Sequence, residues 1–205
     1  MKNKPMRIKG VLPMYVIAVL GERRDLAFVG FLKNTFEKRG LRTECAFAKM
    51  NEDELKRRLF AKEPDILILF SEGAFTVLRK MSVFADIFIP LKGNFHIRVP
   101  VKRKGFVILS SDDKKIFPFF LSKGLSLITC GFSSKASITI SGVDKDEGKI
   151  QCCVQRDIVS LTGEIFEPQE FSIERDKKAE VDRILIAAGA LMVTGYMTGN
   201  MTSKN

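Results

Sequence analysis

The chain has 205 residues, of which 45% are hydrophobic and 28% charged, and its formal net charge is +10. This length can bury a full hydrophobic core, and the ordinary glycine and proline contents exclude a collagen-like or disordered chain. The single histidine and the four cysteines, which form no C-x-x-C pair, do not supply the usual ligands of a zinc site. We therefore expect no bound metal, reduced thiols and a cytoplasmic location.

The positive charge is spread along the chain, with basic clusters near the N-terminus, at 56–58 and at 102–104. Surfaces that bind nucleic acid combine such charge with aromatic side chains on one face, whereas the phenylalanines here fall mostly in apolar runs. The apolar stretch at 11–21 lacks an A-x-A-like cleavage site, and that at 184–197 is too short to cross about 30 Å of hydrocarbon. We expect neither a nucleic-acid partner nor membrane insertion.

In the first part of the chain, apolar runs of strand length alternate with segments of helical periodicity. Such alternation predicts βαβ units and a largely parallel sheet. The predicted elements are a strand at 14–20, a helix at 26–39 stopped by Gly40, a strand at 41–47, a helix at 52–62 capped by Asn51, a strand at 66–70, a helix at 74–82, strands at 85–90 and 105–109, a helix at 114–123 and a strand at 126–130.

From residue 136 the pattern changes to three strand-like segments with short connections, at 136–142, 149–157 and 164–174, which favour antiparallel pairing. A helix at 177–196 closes the domain. The sequence thus predicts an α/β fold with a mainly parallel, P-loop-like sheet flanked by helices and a small antiparallel sheet near the C-terminus. We expect one domain at 14–196, between a basic segment at 1–13 and a polar tail at 197–205.

Four segments carry a family resemblance: GERRDLA at 21–27, ILILFSEG at 66–73, VILSSDD at 107–113 and LITCGFS at 127–133. Their order and spacing resemble the central domain of the Mur ligases, ATP-dependent amide ligases of cell-wall precursor synthesis, and of the related folylpolyglutamate synthetases. The family's corresponding motifs read G-T-N-G-K-T-T, an acid-ended strand, V-x-L-N-x-D-D and I-T-Y-G-F. The resemblance spans roughly residues 14–196 and implies the family's fold.

The loop that would hold the phosphates departs from the family. A phosphate loop needs glycines for close backbone approach, a lysine to neutralise charge and a hydroxyl to help hold magnesium. The residues at these positions are Gly21, Glu22, Arg23, Arg24, Asp25, Leu26 and Ala27. Asp25 replaces the lysine and puts a negative charge where the resemblance implies a triphosphate, a repulsion of a few kcal/mol at an effective dielectric near ~20. Arg23 and Arg24, at a helix N-terminus, form either a new anion site or a solvated basic loop.

Further positions implied by the resemblance have also changed. They are candidate remnant contacts at Glu72, His96, Ser110, Asp112 and Asp113. Glu72 is displaced from the family's magnesium-binding acid, and Ser110 replaces the asparagine of N-x-D-D. The interpretation that we favour is that Glu72 is a solvent-facing loop acid and that the two aspartates form a turn that caps the following helix. We also expect no substrate-binding domain before residue 14 and no third domain after residue 196.

Three functions remain open. The first, which we favour, is a non-catalytic Mur-ligase-like module, with the ATP site lost, that binds another protein or a second copy of itself and needs no cofactor. The second is an ATP-dependent amide-ligase-related enzyme with a rewired nucleotide loop, which alone would need ATP and Mg²⁺. The third is an anion or nucleic-acid binder. Fold analogy cannot choose among them, because function resides in sites rather than in folds.

Overall fold

The computed structural model describes residues 14–47, 49–73, 75, 83–91, 101–112, 120, 124–144, 148–174 and 179–197. The chain forms two compact units, residues 1–105 and 106–205. Strand β5 crosses from one unit into the other, and each unit is described by itself. The helices predicted at 74–82 and 114–123 lie largely outside the described residues, within which Phe120 is helical and buried.

The first unit is a parallel sheet with the strand order β4-β1-β3-β2. Its elements are β1 (Tyr15–Leu20), a 3-10 turn (Arg23–Asp25), α1 (Leu26–Glu37), β2 (Thr43–Phe47), α2 (Glu52–Lys62), β3 (Ile66–Ser71) and β4 (Ala85–Pro90). Strands β3 and β4 are buried along their whole length and β1 from Val16 onward, as their continuous apolar sequences require in a sheet covered on both faces. Helix α1 packs on β2 and β3.

Local signals place both helices of this unit where the sequence predicts them. Helix α1 ends just before Gly40, whose φ of +78° suits a residue without a side chain. Helix α2 is capped by Asn51, whose Oδ1 accepts a hydrogen bond from the N–H of Glu54 at 2.8 Å. The predicted bounds of α2 and β4 are confirmed to the residue.

The second unit combines parallel and antiparallel pairing, with the strand order β11-β8-β7-β6-β5. Its elements are β5 (Val101–Ser110), β6 (Ser126–Gly131), β7 (Ile138–Asp144), β8 (Lys149–Val154), β9 (Ile158–Val159), β10 (Ile165–Phe166), β11 (Gln169–Glu174) and α3 (Val181–Val193). Strands β5, β6 and β7 are parallel neighbours, whereas β7, β8 and β11 pair antiparallel. The predicted mainly parallel α/β fold with antiparallel strands near the C-terminus is thus confirmed.

Most predicted bounds are shifted by one to three residues, and three predicted segments differ more substantially from the structure. Strand β5 begins at Val101, so the basic residues at 102–104 belong to a strand rather than to a connection. The segment 164–174 is split, because β10 pairs with β9 in a separate two-stranded sheet while β11 pairs with β8. Helix α3 is shorter than the predicted 177–196 at both ends. Alternating apolarity does not specify which neighbour a strand pairs with. The segment 164–174 is divided because its two halves pair with different strands.

Helix α3 is the core of the second unit. Every residue from Ile184 to Val193 is buried, and the helix packs against β6, β7 and β9. Gly189 permits this packing, since a Cβ there would lie 3.3 Å from Cγ2 of Ile108 and 3.5 Å from Sγ of Cys130. Within the described residues, no helix is long and apolar enough to cross a membrane.

Candidate functional site

The first candidate site is the loop at the carboxyl end of β1, one of the two inner strands of the first unit. Leu20 lies in register with Ser71 of β3 and Pro90 of β4, and the N–H of Gly21 donates to the carbonyl oxygen of Ser71 at 3.0 Å. Ligands of parallel α/β sheets bind at this edge, beyond the carboxyl ends of the strands. The loop therefore occupies the position that a phosphate-binding loop would take.

The side chain of Asp25 folds back into this loop. Asp25 is only 8% exposed, and its Oδ2 accepts a hydrogen bond from the backbone N–H of Glu22 at 2.8 Å. The N–H of Asp25 in turn donates to the carbonyl oxygen of Glu22 at 2.8 Å, which closes the 3-10 turn. A backbone N–H at a helix start is a group that phosphate loops direct at a bound anion. Here the protein's own carboxylate occupies it.

Gly21 makes room for this carboxylate. A Cβ at residue 21 would lie 2.8 Å from Oδ2 and 2.9 Å from Cβ of Asp25, closer than such atoms pack. Gly21 and Asp25 are therefore a matched pair, because the glycine admits the side chain that fills the loop. The sequence places both residues in the loop, and their direct approach was not predicted.

The two arginines of the loop are exposed. Arg24 makes an ion pair with Glu22, with Nη2 and Oε2 3.1 Å apart and side-chain exposures of 82% and 50%. Pairs exposed to this degree are weak and break readily. The guanidinium of Arg24 is thus turned toward an acid of its own loop, while Arg23 stands exposed on the first turn. Leu26 and Ala27, at the positions of the hydroxyl residues, begin α1 and carry no polar side-chain atom.

The acid after β3 also faces solvent. Glu72 forms an ion pair with Lys49, with Nζ and Oε2 3.6 Å apart. Ser71, just before it, is buried, and its Oγ accepts from the N–H of Gly73 at 3.0 Å. Among the described residues, no three histidine, cysteine or acidic side chains approach closely enough to hold a metal ion.

The second candidate site is the carboxyl end of β5 in the second unit. Oγ of Ser110 accepts a hydrogen bond from the N–H of Asp112 at 3.3 Å, which supports the turn interpretation of this exposed acid. Ser111 is 5% exposed, and its Oγ finds no hydrogen-bond partner among the residues that the structure describes. This hydroxyl lies over Gly131, where a Cβ would come within about 2.3 Å of it. The candidates His96 and Asp113 lie outside the described residues.

Sequence reasoning also missed a buried charge at the opposite end of β4. Asp86 is 3% exposed, its Oδ2 accepts the N–H of Val16 at 2.9 Å, and its Oδ1 lies 2.5 Å from Nζ of Lys102. Burial and the nearby Asp86 carboxylate raise the pKa of Tyr15. The only sequence signal is an acid in the otherwise apolar run ADIFIP. Charged groups are rarely buried unless they are paired, so an acid in a buried strand indicates that the carboxylate has a partner.

The four cysteines are free thiols. Cys152 and Cys153 are adjacent in β8 and therefore point to opposite faces, with Cys152 buried and Cys153 half-buried. Burial raises the pKa of Cys45 to about 11 and that of Cys152 to about 12, and it raises the pKa of Cys130 further. Such thiols are protonated at neutral pH and are poor nucleophiles.

The fold is similar to that of several solved ligases. MurF ligase from Thermotoga maritima in complex with ADP matches 93% of this chain and 47% of its own, with a TM-score of 0.56 and 11% identity. Folylpolyglutamate synthase from Thermotoga maritima matches 94% of this chain and 56% of its own, with a TM-score of 0.55 and 11% identity. A UDP-N-acetylmuramoyl-L-alanyl-D-glutamate–2,6-diaminopimelate ligase matches 91% of this chain and 44% of its own, at 0.55 and 11%.

The chain spans about half the length of these solved structures. No protein-family model matches it, and no curated protein matches it in sequence. At 11% identity the structural matches establish the fold and leave the activity open. The expected resemblance is therefore confirmed at the level of structure, and the chain has a Mur-ligase-like α/β fold.

Proposed function

We propose that this chain is a non-catalytic Mur-ligase-like module of the cytoplasm that has lost ATP binding at the loop 21–27 and acts by binding a protein partner. One observation carries the proposal: the carboxylate of Asp25 accepts a hydrogen bond from the N–H of Glu22, a group that a phosphate-binding loop would direct at an anion. Its hydrogen bond to the N–H of Glu22 is shielded from solvent, since Asp25 is only 8% exposed. Releasing that N–H for a phosphate requires the carboxylate to leave.

Charge and chemistry at the neighbouring positions support the same reading. An Asp25 carboxylate beside a triphosphate repels it, at a cost of about 4 kcal/mol for unit charges about 4 Å apart at an effective dielectric of about 20. Leu26 and Ala27 offer no hydroxyl to a magnesium ion, and Glu72 faces solvent beside the cation Lys49. These residues do not fit a magnesium–triphosphate complex, so we derive no catalytic step through one.

The rewired-enzyme alternative rests on the arginines. Arg23 and Arg24 are exposed on the first turn before α1, where a cation and free N–H groups together favour anions. For this alternative, Asp25 must swing out of the loop, and Arg24 must leave Glu22. The loop conformation in the structure, with Asp25 bonded to Glu22, therefore favours the ATP-free protein.

Isothermal titration calorimetry with Mg-ATP on the full chain tests the proposal, with inorganic polyphosphate as a control for general polyanion binding. We expect no saturable Mg-ATP heat below about 1 mM, a limit that corresponds to roughly −4 kcal/mol of binding free energy. Weak heats of equal size for both ligands would indicate charge-driven contact with a basic protein and leave the proposal standing.

Two variants sharpen the outcome. Asp25→Asn keeps a hydrogen-bond acceptor of the same size and removes the charge, and Asp25→Lys restores the cation found in the family's loop. We expect phosphate affinity to rise in the order wild type, Asp25→Asn, Asp25→Lys. Micromolar Mg-ATP affinity in the wild type, abolished by Arg23→Ala with Arg24→Ala, would overturn the proposal in favour of the rewired enzyme.

A further inference from the structure

The second unit carries an exposed apolar pair on the hairpin of β9 and β10. Val159 and Ile165 are direct cross-strand partners and are 50% and 57% exposed. The alternate residues Ile158 and Phe166 are buried at 1% and 3%. The N–H of Leu161 donates to the carbonyl oxygen of Val193 at 2.7 Å, so the hairpin is held on the end of α3. Helix α3 therefore holds the hairpin in place, with the side chains of Val159 and Ile165 facing solvent.

The chain segment that carries this pair has charge of one sign. Residues 157–174 contain five acidic residues and no lysine or arginine, in a chain whose net charge is +10. Glu164 and Glu167 are exposed and stand on either side of β10 in the chain. We call Val159, Ile165, Glu164 and Glu167 the acidic hairpin. Its composition is complementary to a partner surface on which an exposed apolar side chain lies beside positively charged side chains.

The first unit carries a surface of that kind. Phe84 is 51% exposed and lies two residues before Asp86, whose carboxylate is 2.5 Å from Lys102. The next residues of β5, Arg103 and Lys104, are exposed. We call Phe84, Arg103 and Lys104 the basic edge. Every copy of the chain thus carries both an apolar surface with acids and an apolar surface with bases.

We propose that the acidic hairpin of one copy binds the basic edge of a second copy. This inference rests on the proposed role as a protein-interaction module and names its partner. The contact joins two different surfaces, so the apolar residues of both are removed from water together. In the same contact, the carboxylates of Glu164 and Glu167 face the cations of the basic edge. Exposed ion pairs contribute little individually and are screened by salt, so the association is weak and salt-sensitive.

The acidic hairpin favours protein over other classes of partner. Nucleic acids and anionic lipid surfaces carry phosphates, which its carboxylates repel. A small anion is excluded for the same reason. The basic edge supplies both an exposed apolar group and cations.

Sedimentation equilibrium of the full chain tests the inference, with charge-reversed variants. We expect a weight-average mass that rises above the monomer's 23.1 kDa with concentration at low salt and returns to it at about 0.5 M salt. Glu164→Lys with Glu167→Lys, and separately Arg103→Glu with Lys104→Glu, each set like charges against each other. Each double variant alone should remain monomeric.

An equimolar mixture of the two double variants should associate again, because each then offers a surface complementary to the other. Asp53→Lys with Glu63→Lys is the matched control, since both residues are exposed, lie outside both surfaces and change the charge by the same amount as the hairpin variant. A strict monomer at every concentration, or association that neither reversal weakens and the mixture does not restore, would overturn the inference. Mass and Mg-ATP affinity are separate readouts, so this failure is distinguishable from failure of the proposed function.

Discussion

The carboxylate of Asp86 accepts a hydrogen bond from the backbone N–H of Val16, 70 residues earlier in the chain, at 2.9 Å. The bond joins the amino ends of β4 and β1, and the other carboxylate oxygen meets Lys102 at 2.5 Å. We expect Asp86→Ala to lower the free energy of unfolding by about 1–3 kcal/mol, because it leaves a buried N–H without a partner. Urea unfolding followed by circular dichroism measures the loss.

Two further substitutions control this prediction. Asp86→Asn keeps an acceptor for Val16 and gives up only the charge, so it should lose less than Asp86→Ala. Asp53→Ala removes an exposed acid and should stay within about 0.5 kcal/mol of the wild type. Equal stabilities for Asp86→Ala and the wild type would show that the bond to Val16 contributes nothing.

Gly131 and Ser111 form a second close pair. Gly131 has a φ of +151°, and a Cβ there would collide with Oγ of Ser111. Gly131→Ala should therefore destabilise the fold by about 1–3 kcal/mol through backbone strain and overlap. Ser111→Ala alone removes a buried hydroxyl for which the described part of the chain offers no partner, so it should be neutral or stabilising.

A double-mutant cycle separates the two causes. In the Ser111→Ala background, Gly131→Ala should cost less than in the wild type, because the overlap with Oγ is gone while the strain remains. Strictly additive effects, measured by thermal or urea unfolding, would assign the whole cost to the backbone.

The buried thiols make stability fall at high pH. The pKa of Cys45 is raised to about 11 and that of Cys152 to about 12, from an ordinary value of 9.0, chiefly by burial. Between about pH 9 and 11 the unfolded chain loses these protons before the folded chain does, so the free energy of unfolding decreases as pH rises. Urea unfolding at pH 8 and pH 10 should show this decrease. It should be smaller in Cys45→Ala with Cys152→Ala, and an identical decrease would refute the assignment.

The sequence predicts much of the fold because its signals are local. Continuous apolar runs identify β1, β3 and β4, Asn51 identifies the start of α2, and Gly40 follows the end of α1. Each depends on residues close in the chain. Strand β9 and the division of 164–174 escaped prediction, because they depend on which strand pairs with which.

Motif spacing in the sequence located the candidate loop, but it did not predict the hydrogen bonds within the loop. The motif resemblance locates Gly21–Ala27, yet only the structure brings the Asp25 carboxylate to the N–H of Glu22 and into the space above Gly21. The three-residue separation of Glu22 and Asp25 is the spacing of a capping box, which is the signal that sequence reasoning could have used. The Asp86–Lys102 contact is tertiary: the acid in the run ADIFIP indicates that a partner is needed, and nothing in the sequence identifies that partner as Lys102.

The most direct measurement is the response of the loop's own amides to nucleotide. Two-dimensional ¹⁵N–¹H NMR of the full chain, titrated with Mg-ATP, follows the N–H groups of residues 21–27 individually. Because Asp25 already holds the N–H of Glu22, the account predicts that these resonances stay in place in the wild type and that inorganic phosphate shifts them in Asp25→Lys. Saturable shifts of the Glu22 and Asp25 amides at micromolar Mg-ATP in the wild type would contradict it.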